Sequence, residues 1–141
     1  MARGYEHKPW IYKGQEFIEV PKGIEGFVYL LTDTITGKKY IGKKSFWSVS
    51  TVVVNGRKKN TKRESEWKKY YSSNLEIIAL TKGGNGARFT REILHLCKTK
   101  GTATYLEAKE IFVRGAFEKP DEYMNYFLEL RVNAGHLKIG D

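Results

Sequence analysis

One pair of short segments constrains the fold of this 141-residue chain most strongly. Residues 26–31 and 40–42 are rich in aliphatic and aromatic side chains, which favour strands, and the residues between them have turn chemistry ending in a glycine. The pattern predicts an antiparallel hairpin over residues 26–42. Pairing of the two strands would bring Tyr29 and Tyr40 close together. Ordinary packing of strand aromatics is the alternative explanation for each tyrosine.

The composition favours one domain and a polyanionic partner. The chain is long enough for one domain with a real core and too short for two ordinary domains. It carries 25 Lys and Arg against 16 Asp and Glu, a formal net charge of +9. Nucleic acid is the leading candidate partner, because basic side chains contact phosphates. Basic surfaces also occur in ribosomal and membrane-surface proteins, so charge alone does not indicate catalysis.

Cysteine content and hydropathy further limit the kind of protein that the chain can be. The single Cys97 lies in an apolar run, where a buried thiol is more expected than a nucleophile or a metal ligand. The N-terminus has no apolar signal region, and no stretch reaches the roughly 18 apolar residues that a membrane span needs. We expect a cytoplasmic protein without a membrane partner. His7, His95 and His136 lack the spacing of metal ligands and are assigned no role.

The chain is expected to consist of an N-terminal arm, residues 1–25, followed by one domain, residues 26–141. The arm is mixed and polar, with one short strand predicted at 17–20. Residues from about 47 to 61 form a basic insertion after the hairpin. An Asn-Gly pair in the insertion favours a type I′ turn, so the insertion is either a basic loop or a second hairpin.

Capping patterns and periodicity predict the remaining elements. Thr61 and Ser73 each precede a glutamate by three residues, which is typical of a capping box at a helix start. Another helix is expected to begin at Thr104 and to end before Pro120. The predicted elements are helices at 62–71 and 74–82, a strand at 89–97, the helix from Thr104, and a helical tail at 121–132.

The tyrosine pair and the lysines beside it suggest a specific chemistry. Cleavage of a phosphodiester needs an activated water, positive charge against the phosphoryl oxygens and stabilisation of the leaving alkoxide. A tyrosine acts as the general base only where positive charge lowers its pKa from about 10. Lys43 and Lys44 directly follow the second tyrosine segment and are placed to lower a tyrosine pKa in this way.

The paired segments, present as Phe27-Val28-Tyr29 and Tyr40-Ile41-Gly42, resemble the motif that names the GIY-YIG nuclease superfamily. Residues 64–73, residues 89–94 and Glu107 follow in the order of that family, and the segment at 64–73 resembles phage Seg-type endonucleases. The resemblance covers about residues 26–126. The first segment departs from the motif, because Phe27 stands where the family has glycine.

The resemblance implies a fold and a metal. The fold is of the α/β (α+β) class, with a small three-stranded antiparallel sheet flanked by helices. One Mg²⁺ or Mn²⁺ ion would be held by a single helix glutamate, for which Glu107 is the candidate. Mg²⁺ keeps several waters and takes phosphate oxygens as ligands, so one carboxylate suits it. The alternative for Glu107 is a structural role in a capping box begun by Thr104.

The same resemblance implies the roles of the other catalytic residues. Tyr29 would be the base that activates water, and Tyr40 a partner that hydrogen-bonds within the site. An arginine at the start of the first helix would contact the scissile phosphate, and Arg63 is the candidate. The insertion breaks the usual spacing, so Arg57 could take its place. The alternative for both arginines is a general contact to DNA or a solvated side chain.

Further residues are expected to contact nucleic acid. Tyr71 stands where homing members of the superfamily have a histidine, so it either hydrogen-bonds a phosphate or packs. Asn125 resembles a late asparagine that helps to order the site, with a turn or cap as its alternative. The complete predicted set is Lys43, Lys44, Arg57, Lys69, Tyr71, Ser72 and Asn125.

These observations lead to one main hypothesis and one competitor. The main hypothesis is a divalent-metal-dependent DNA endonuclease, phage-encoded and acting in the host cytoplasm. The competitor is a non-catalytic basic protein that binds nucleic acid through phosphate contacts and stacking. Both hypotheses leave oligomerisation open.

Overall fold

The computed structural model describes residues 8–130 and residue 134, which form seven strands and two α-helices. In chain order the elements are β1 (Trp10–Tyr12), β2 (Gln15–Phe17), β3 (Gly26–Asp33), β4 (Lys39–Ser45), β5 (Trp47–Val54), β6 (Arg57–Glu64), α1 (Leu75–Thr81), β7 (Phe89–Cys97) and α2 (Lys100–Val113). Short 3₁₀ segments at Lys82–Arg88 and Ala116–Glu118 follow the helices. No helix of this described part combines the length and the apolar character that crossing a membrane requires.

The main sheet has five strands in the order β2-β1-β7-β3-β4. β3 lies between β4 and β7 and is antiparallel to both, which confirms the predicted hairpin and the strand at 89–97. The predicted three-stranded antiparallel sheet is therefore the centre of a larger, mixed sheet. N-terminal residues enlarge it, since β1 pairs parallel to β7 and antiparallel to β2. The strand predicted at 17–20 is wrong, because the strands of this region lie at 10–12 and 15–17.

β3 is apolar along most of its length because both faces of the sheet are covered. Alternate side chains of a strand point to opposite faces. Phe27, Tyr29 and Leu31 join one core cluster, and Val28 and Leu30 join a second cluster with residues of α2. The first cluster also contains Trp10, Phe46, Trp67, Tyr71, Ile77, Phe89, Ile93 and Met124; the second also contains Ile41, Cys97, Ala103, Leu106, Ile111, Ala116 and Tyr123.

β7 does not alternate cleanly because it carries a β-bulge. Its pairing with β3 shifts between Val28 and Tyr29, which leaves Leu94 as the extra residue. The bulge changes the face that the following residues occupy, so Ile93 lies in the first cluster and Cys97 in the second. Cys97 is buried, as predicted, and burial raises the pKa of its thiol to about 11.

The helix predicted at 62–71 is wrong. Residues 57–64 form β6, which pairs with β5 as an antiparallel hairpin. The turn residues Asn55 and Gly56 have positive φ angles of 52° and 75°, as a type I′ turn requires. Of the two alternatives for the insertion, the second hairpin is therefore correct.

The two α-helices have different starts from those predicted. Asn74, rather than Ser73, caps α1, and its side chain accepts a hydrogen bond from the N–H of Ile77 at 3.1 Å. α2 begins a turn earlier than expected, with Thr99 as its cap. Glu107 consequently lies in the helix interior, and a capping box begun by Thr104 is wrong.

The segment after α2 covers the outer edge of β4. The N–H of Lys39 donates to the carbonyl of Glu122 at 2.8 Å, and the N–H of Met124 donates to the carbonyl of Lys39 at 2.7 Å. The helical tail predicted at 121–132 is wrong for residues 121–130, which contain no helix; residues 131 and 132 lie outside the described residues. β4, α2 and this extended segment therefore meet at one edge of the sheet.

Candidate active site

A cavity of about 210 Å³ lies at this edge. Its walls come from β3, β4, α2, the residue before the cap of α1, and the segment after α2. The lining residues are Tyr29, Tyr40, Gly42, Lys43, Ser73, Glu107, Phe127, Leu128 and Glu129. Three residues that the sequence predicts to act together, Tyr29, Tyr40 and Glu107, therefore converge on one pocket.

The hairpin holds the two tyrosine rings next to each other. The ring centroids of Tyr29 and Tyr40 are 6.3 Å apart. Tyr29 pairs with Gly42 on the neighbouring strand, and its hydroxyl occupies the space into which a side chain at Gly42 would project. Any Cβ at Gly42 would lie well inside van der Waals contact with the phenol. The glycine is therefore needed for Tyr29 to lie flat against β4.

Ser72 connects the two phenols. Its side chain hydrogen-bonds with the hydroxyls of both Tyr29 and Tyr40. The Oγ of Ser72 also accepts a hydrogen bond from the N–H of Asn74 at 2.9 Å, so the cap of α1 fixes its position. Ser72 is only 7% exposed. The structure gives Ser72 these internal partners, and its contact to nucleic acid stays a prediction.

The protein alone does not lower the pKa of either Tyr29 or Tyr40. Burial raises the pKa of Tyr29 well above its ordinary value near 10, and neighbouring phenols add to the rise while the Ser72 hydrogen bond opposes it. Burial also raises the pKa of Tyr40, where the Ser72 hydrogen bond opposes the rise and the negative charge of Glu107 adds to it. Both phenols are therefore neutral at pH 7.

The two lysines beside the motif interact with other groups. The Nζ of Lys43 lies 3.9 Å from Oε1 of Glu107, and the Nζ of Lys44 pairs with Glu66 at 2.8 Å. Lys44 also lies over the ring of Tyr70, 4.4 Å from its centroid. The expectation that these lysines lower a tyrosine pKa is wrong, because burial dominates at both phenols. Lys43 nevertheless stays at the cavity wall, where it can meet a phosphate.

Glu107 projects from α2 into the cavity. Its side chain is 13% exposed, and burial raises the pKa of its carboxyl above the ordinary value near 4.5 while Lys43 opposes the rise. A partly desolvated carboxylate gains from a nearby cation. In residues 8–130 and 134, no group of three or more His, Cys, Asp and Glu side chains is arranged to hold a metal. A cation here would therefore depend on one carboxylate together with water and substrate oxygens.

Asn125 fixes the strand that carries the second tyrosine. Its Oδ1 accepts from the N–H of Ile41 at 2.9 Å, and its Nδ2 donates to the carbonyl of Ile41 at 2.8 Å. Ile41 lies between Tyr40 and Gly42, which both line the cavity. The structure thus gives Asn125 a positioning task, and its contact to nucleic acid stays a prediction.

The arginine expected at the phosphate is not at the cavity. Arg63 is exposed in β6, and no helix begins there, so the reason for choosing it is wrong. Arg57 lies at the other end of the same strand, beside the turn. Among the described residues, no arginine lines the cavity. Lys43 is therefore the cationic side chain of its wall.

Tyr71 is a core residue, so packing is the correct one of its two predicted alternatives. It is 7% exposed, and its hydroxyl lies against the backbone of Gly86, where a Cβ would clash. The guanidinium of Arg91 lies 4.5 Å from its ring centroid. Lys69 is exposed, and its contact to nucleic acid stays a prediction.

Sequence reasoning missed three residues around the site. Tyr70 lies edge-on to Tyr29, with centroids 6.1 Å apart, and Ser73 lines the cavity. Arg91 is 3% exposed and donates to the carbonyls of Lys68 at 2.9 Å and Tyr70 at 2.8 Å, which holds the chain that leads into the site. An arginine at an inward position of the β7 pattern was the available signal for Arg91.

The histidines are separate from the cavity as far as the structure describes them. The Nε2 of His95 lies 2.6 Å from Oε2 of Glu110, three residues beyond Glu107 on α2. His7 and His136 lie outside the described residues.

Comparison with known proteins adds an independent observation. A family model described as "Putative endonuclease segE, GIY-YIG domain" matches residues 10–129. The match includes β1, β2 and every residue that lines the cavity. No curated protein and no solved structure matches the chain.

Proposed function

Because the chain belongs to the segE-type GIY-YIG domain family, which implies nuclease activity in general, we propose that it is a divalent-metal-dependent endonuclease that hydrolyses DNA. The observation that carries this proposal is the convergence of Tyr29, Tyr40 and Glu107 on one cavity with Lys43 at its wall. The net charge of +9 supports a polyanionic substrate. The Seg-type resemblance is the ground for proposing phage origin and action in the host cytoplasm.

Glu107 is the residue that would hold the cation. Its desolvated carboxylate faces the cavity, and Mg²⁺ or Mn²⁺ accepts a site with few protein ligands because it keeps waters and takes phosphate oxygens. When bound, the cation supplies positive charge that lowers the pKa of a nearby phenol and offsets the charge developing on the phosphoryl oxygens. The residues present therefore fit such an ion.

The side chains of the cavity have complementary tasks in hydrolysis. Tyr29 would take the proton of the attacking water, and the Ser72 hydroxyl that it shares with Tyr40 keeps both phenols oriented. Tyr40, which is less buried than Tyr29, would hydrogen-bond the water or the phosphate. Lys43 would contact the phosphate in place of the expected arginine, because its ammonium is at the cavity wall.

One observation favours a non-catalytic nucleic-acid-binding protein as the second candidate. Burial raises the pKa of Tyr29 and Tyr40, so the described chain alone leaves both of these phenols neutral near pH 7. A binding protein would need the basic surface and no base. The two candidates differ in their need for Glu107, because a binding surface gains nothing from a carboxylate beside a phosphate.

The experiment is incubation of the purified protein with supercoiled plasmid, with Mg²⁺, with Mn²⁺ and with EDTA. We expect nicked or linear DNA with either cation and intact plasmid with EDTA. Plasmid that is retarded on a gel but uncut under all three conditions would instead establish the binding protein. Cleavage with EDTA would contradict metal dependence.

A further inference from the structure

The second hairpin forms a two-stranded arm outside the main sheet. We call β5, β6 and their turn, residues 47–64, the ribbon. Within the part of the chain that the structure describes, its two strands pair only with each other, and every residue of β6 is exposed. Eight residues per strand correspond to a length of about 27 Å. Five of the eight residues of β6 are Lys or Arg. These like charges repel one another, and a bound polyanion would offset that repulsion.

The register sorts the ribbon side chains into two different faces. Cross-strand partners share a face and neighbours along a strand alternate. One face carries Arg57, Lys59 and Arg63, and no ion-pair partner for these three exists among residues 8–130 and 134. The same face presents Ser48, Ser50, Val52, Val54 and Thr61. It therefore combines free cations with hydroxyls and exposed methyl groups.

The opposite face is partly occupied by the protein itself. Lys62 pairs with Glu25 at 2.8 Å and lies 5.2 Å from the ring of Trp47. Thr51 and Asn60 hydrogen-bond with each other at 3.0 Å. This face contacts the body at its base through Lys62, whereas Arg57, Lys59 and Arg63 form no ion pair with described residues. The face with these three cations is therefore the one that a polyanion would contact. We name it the free face.

The base of the ribbon is rigidly attached. Phe46, the residue between β4 and β5, is fully buried, its N–H donates to the carbonyl of Glu25 at 2.9 Å, and its own carbonyl accepts from Ser65 at 2.7 Å. The indole of Trp47 donates to the carbonyl of Ile24 at 2.9 Å. These bonds fix the direction in which the ribbon leaves the sheet.

A basic trough joins the ribbon to the candidate active site. A second cavity, of about 400 Å³, has Lys43, Lys44 and Lys100 in its lining. It shares Lys43 with the active-site cavity and Glu25 with the ribbon base. A polyanion at the active-site cavity can therefore also contact Lys43 and Lys100 of this second cavity, which reaches the base of the ribbon at Glu25.

From this arrangement we propose that the ribbon binds in the major groove of B-form DNA beside the cleavage site, with its free face toward the bases. The inference rests on the proposed function for the location of the cut. The major groove is about 12 Å wide and admits a two-stranded ribbon, whereas the A-form groove of duplex RNA is too narrow for side chains to read. Ser and Thr hydroxyls reach base edges, and valine methyls contact thymine.

The covalent connection sets the distance of this contact from the cut. Lys43 and Trp47 are four positions apart, which is at most about 13 Å of extended chain, and the ribbon adds about 27 Å. With 3.4 Å per base pair, the protected region should reach no further than about 12 base pairs from the scissile phosphate, on one side only.

The test compares two variants of equal charge in the full chain. The first replaces Arg57, Lys59 and Arg63 by Gln. The matched control replaces Lys82, Lys109 and Lys119 by Gln, because these residues are exposed, lie outside both cavities and remove the same charge. Binding to a duplex of about 30 base pairs is measured in EDTA at several salt concentrations, with methylation of guanine N7 as the probe of the major groove.

We expect the ribbon variant to lose about 10- to 100-fold in affinity, and its salt slope to fall by about 0.9 for each of the three cations that contacts a phosphate rather than a base. N7 protection should disappear in this variant and persist in the control. The wild-type protein should bind duplex RNA of the same sequence more weakly than DNA. Equal loss in both variants, absence of N7 protection in the wild-type protein, or equal affinity for RNA would each overturn the inference.

Binding in EDTA separates this inference from the proposed function. A wild-type protein that protects guanines but never nicks plasmid would keep the ribbon contact and overturn the nuclease. A protein that nicks plasmid but protects no guanine N7 would keep the nuclease and overturn the ribbon contact.

Discussion

Asn125 replaces a missing strand partner for Ile41. The Oδ1 and Nδ2 atoms of this one side chain bind the N–H and the carbonyl of Ile41 at 2.9 and 2.8 Å, as a neighbouring strand would. Both residues are buried. The contact joins the segment after α2 to the edge of the sheet at the point where Tyr40 and Gly42 enter the cavity.

Replacing Asn125 by Ala should therefore lower both stability and activity. Two buried backbone groups of Ile41 lose their partners, which costs about 1–3 kcal/mol each at most in free energy of unfolding. Urea denaturation and plasmid nicking measure the two effects. Asn85→Ala is the control, because Asn85 is exposed and its side chain donates to the carbonyl of Lys82 within its own turn, so its change should stay within about 0.5 kcal/mol. Wild-type nicking by a folded Asn125→Ala protein would remove the positioning role.

Removal of the Tyr29 hydroxyl tests its role as base. Tyr29→Phe keeps the ring that packs against Gly42 and loses the group that would accept the proton of water. We expect nicking to slow by about 10²- to 10⁴-fold. Tyr71→Phe is the matched control, since it removes a buried hydroxyl from the core outside the cavity. Equal rates for Tyr29→Phe and the wild-type protein would make Tyr29 a packing residue.

Lys43 should set the pH range of metal binding. Burial raises the pKa of Glu107 and the charge of Lys43 lowers it, so Lys43→Met should raise that pKa further. A cation binds the ionised carboxylate, so its apparent affinity falls about tenfold per pH unit below the pKa. The Mg²⁺ concentration for half-maximal nicking, measured from about pH 5 to 8, should start to rise at a higher pH in the variant. An unchanged profile would argue against Glu107 as the ligand.

The ion pair between Asp33 and Arg88 should make the free energy of unfolding depend on pH in the acid range. Hydrogen bonds from Arg88, at 2.6 and 3.0 Å, hold the pKa of Asp33 at about 2 against an ordinary value of 3.8. Because the folded protein lowers the pKa of Asp33, the ionised carboxylate stabilises the fold at pH values above the ordinary pKa of 3.8. This stabilisation is lost as the pH falls through the lowered pKa of about 2.

Arg88→Leu should therefore be less stable than the wild-type protein at neutral pH, with the difference shrinking as the pH falls from about 4 to about 2. Urea titrations across this range measure it. A difference that is independent of pH would show that Arg88 stabilises by packing alone.

Local sequence patterns were sufficient for the centre of the fold. The hairpin of β3 and β4 and the strand β7 follow from aromatic and β-branched residues, turn chemistry and capping, which act over a few residues. The convergence of Tyr29, Tyr40 and Glu107 followed from the family resemblance, because it depends on how α2 packs against the second face of the sheet. No local pattern contains that information.

Local patterns failed where long-range pairing decided the structure. In β6, Thr61 and Glu64 have capping-box spacing, yet pairing with β5 takes their backbone bonds. Residues 121–130 are extended because the edge of β4 offers partners. The sequence likewise does not predict the tyrosine pKa values. Two lysines near a tyrosine in the sequence do not reveal that burial has the larger effect on the pKa of Tyr29.

The most direct test of the central claim is Glu107→Gln, measured for DNA binding and for Mg²⁺-dependent nicking of supercoiled plasmid. The control is Glu110→Gln on the same helix, whose carboxylate pairs with His95 and Arg114 outside the cavity. The account predicts that Glu107→Gln binds DNA at least as tightly as the wild-type protein and no longer nicks it, while Glu110→Gln still cuts. Wild-type cleavage by Glu107→Gln would contradict the account.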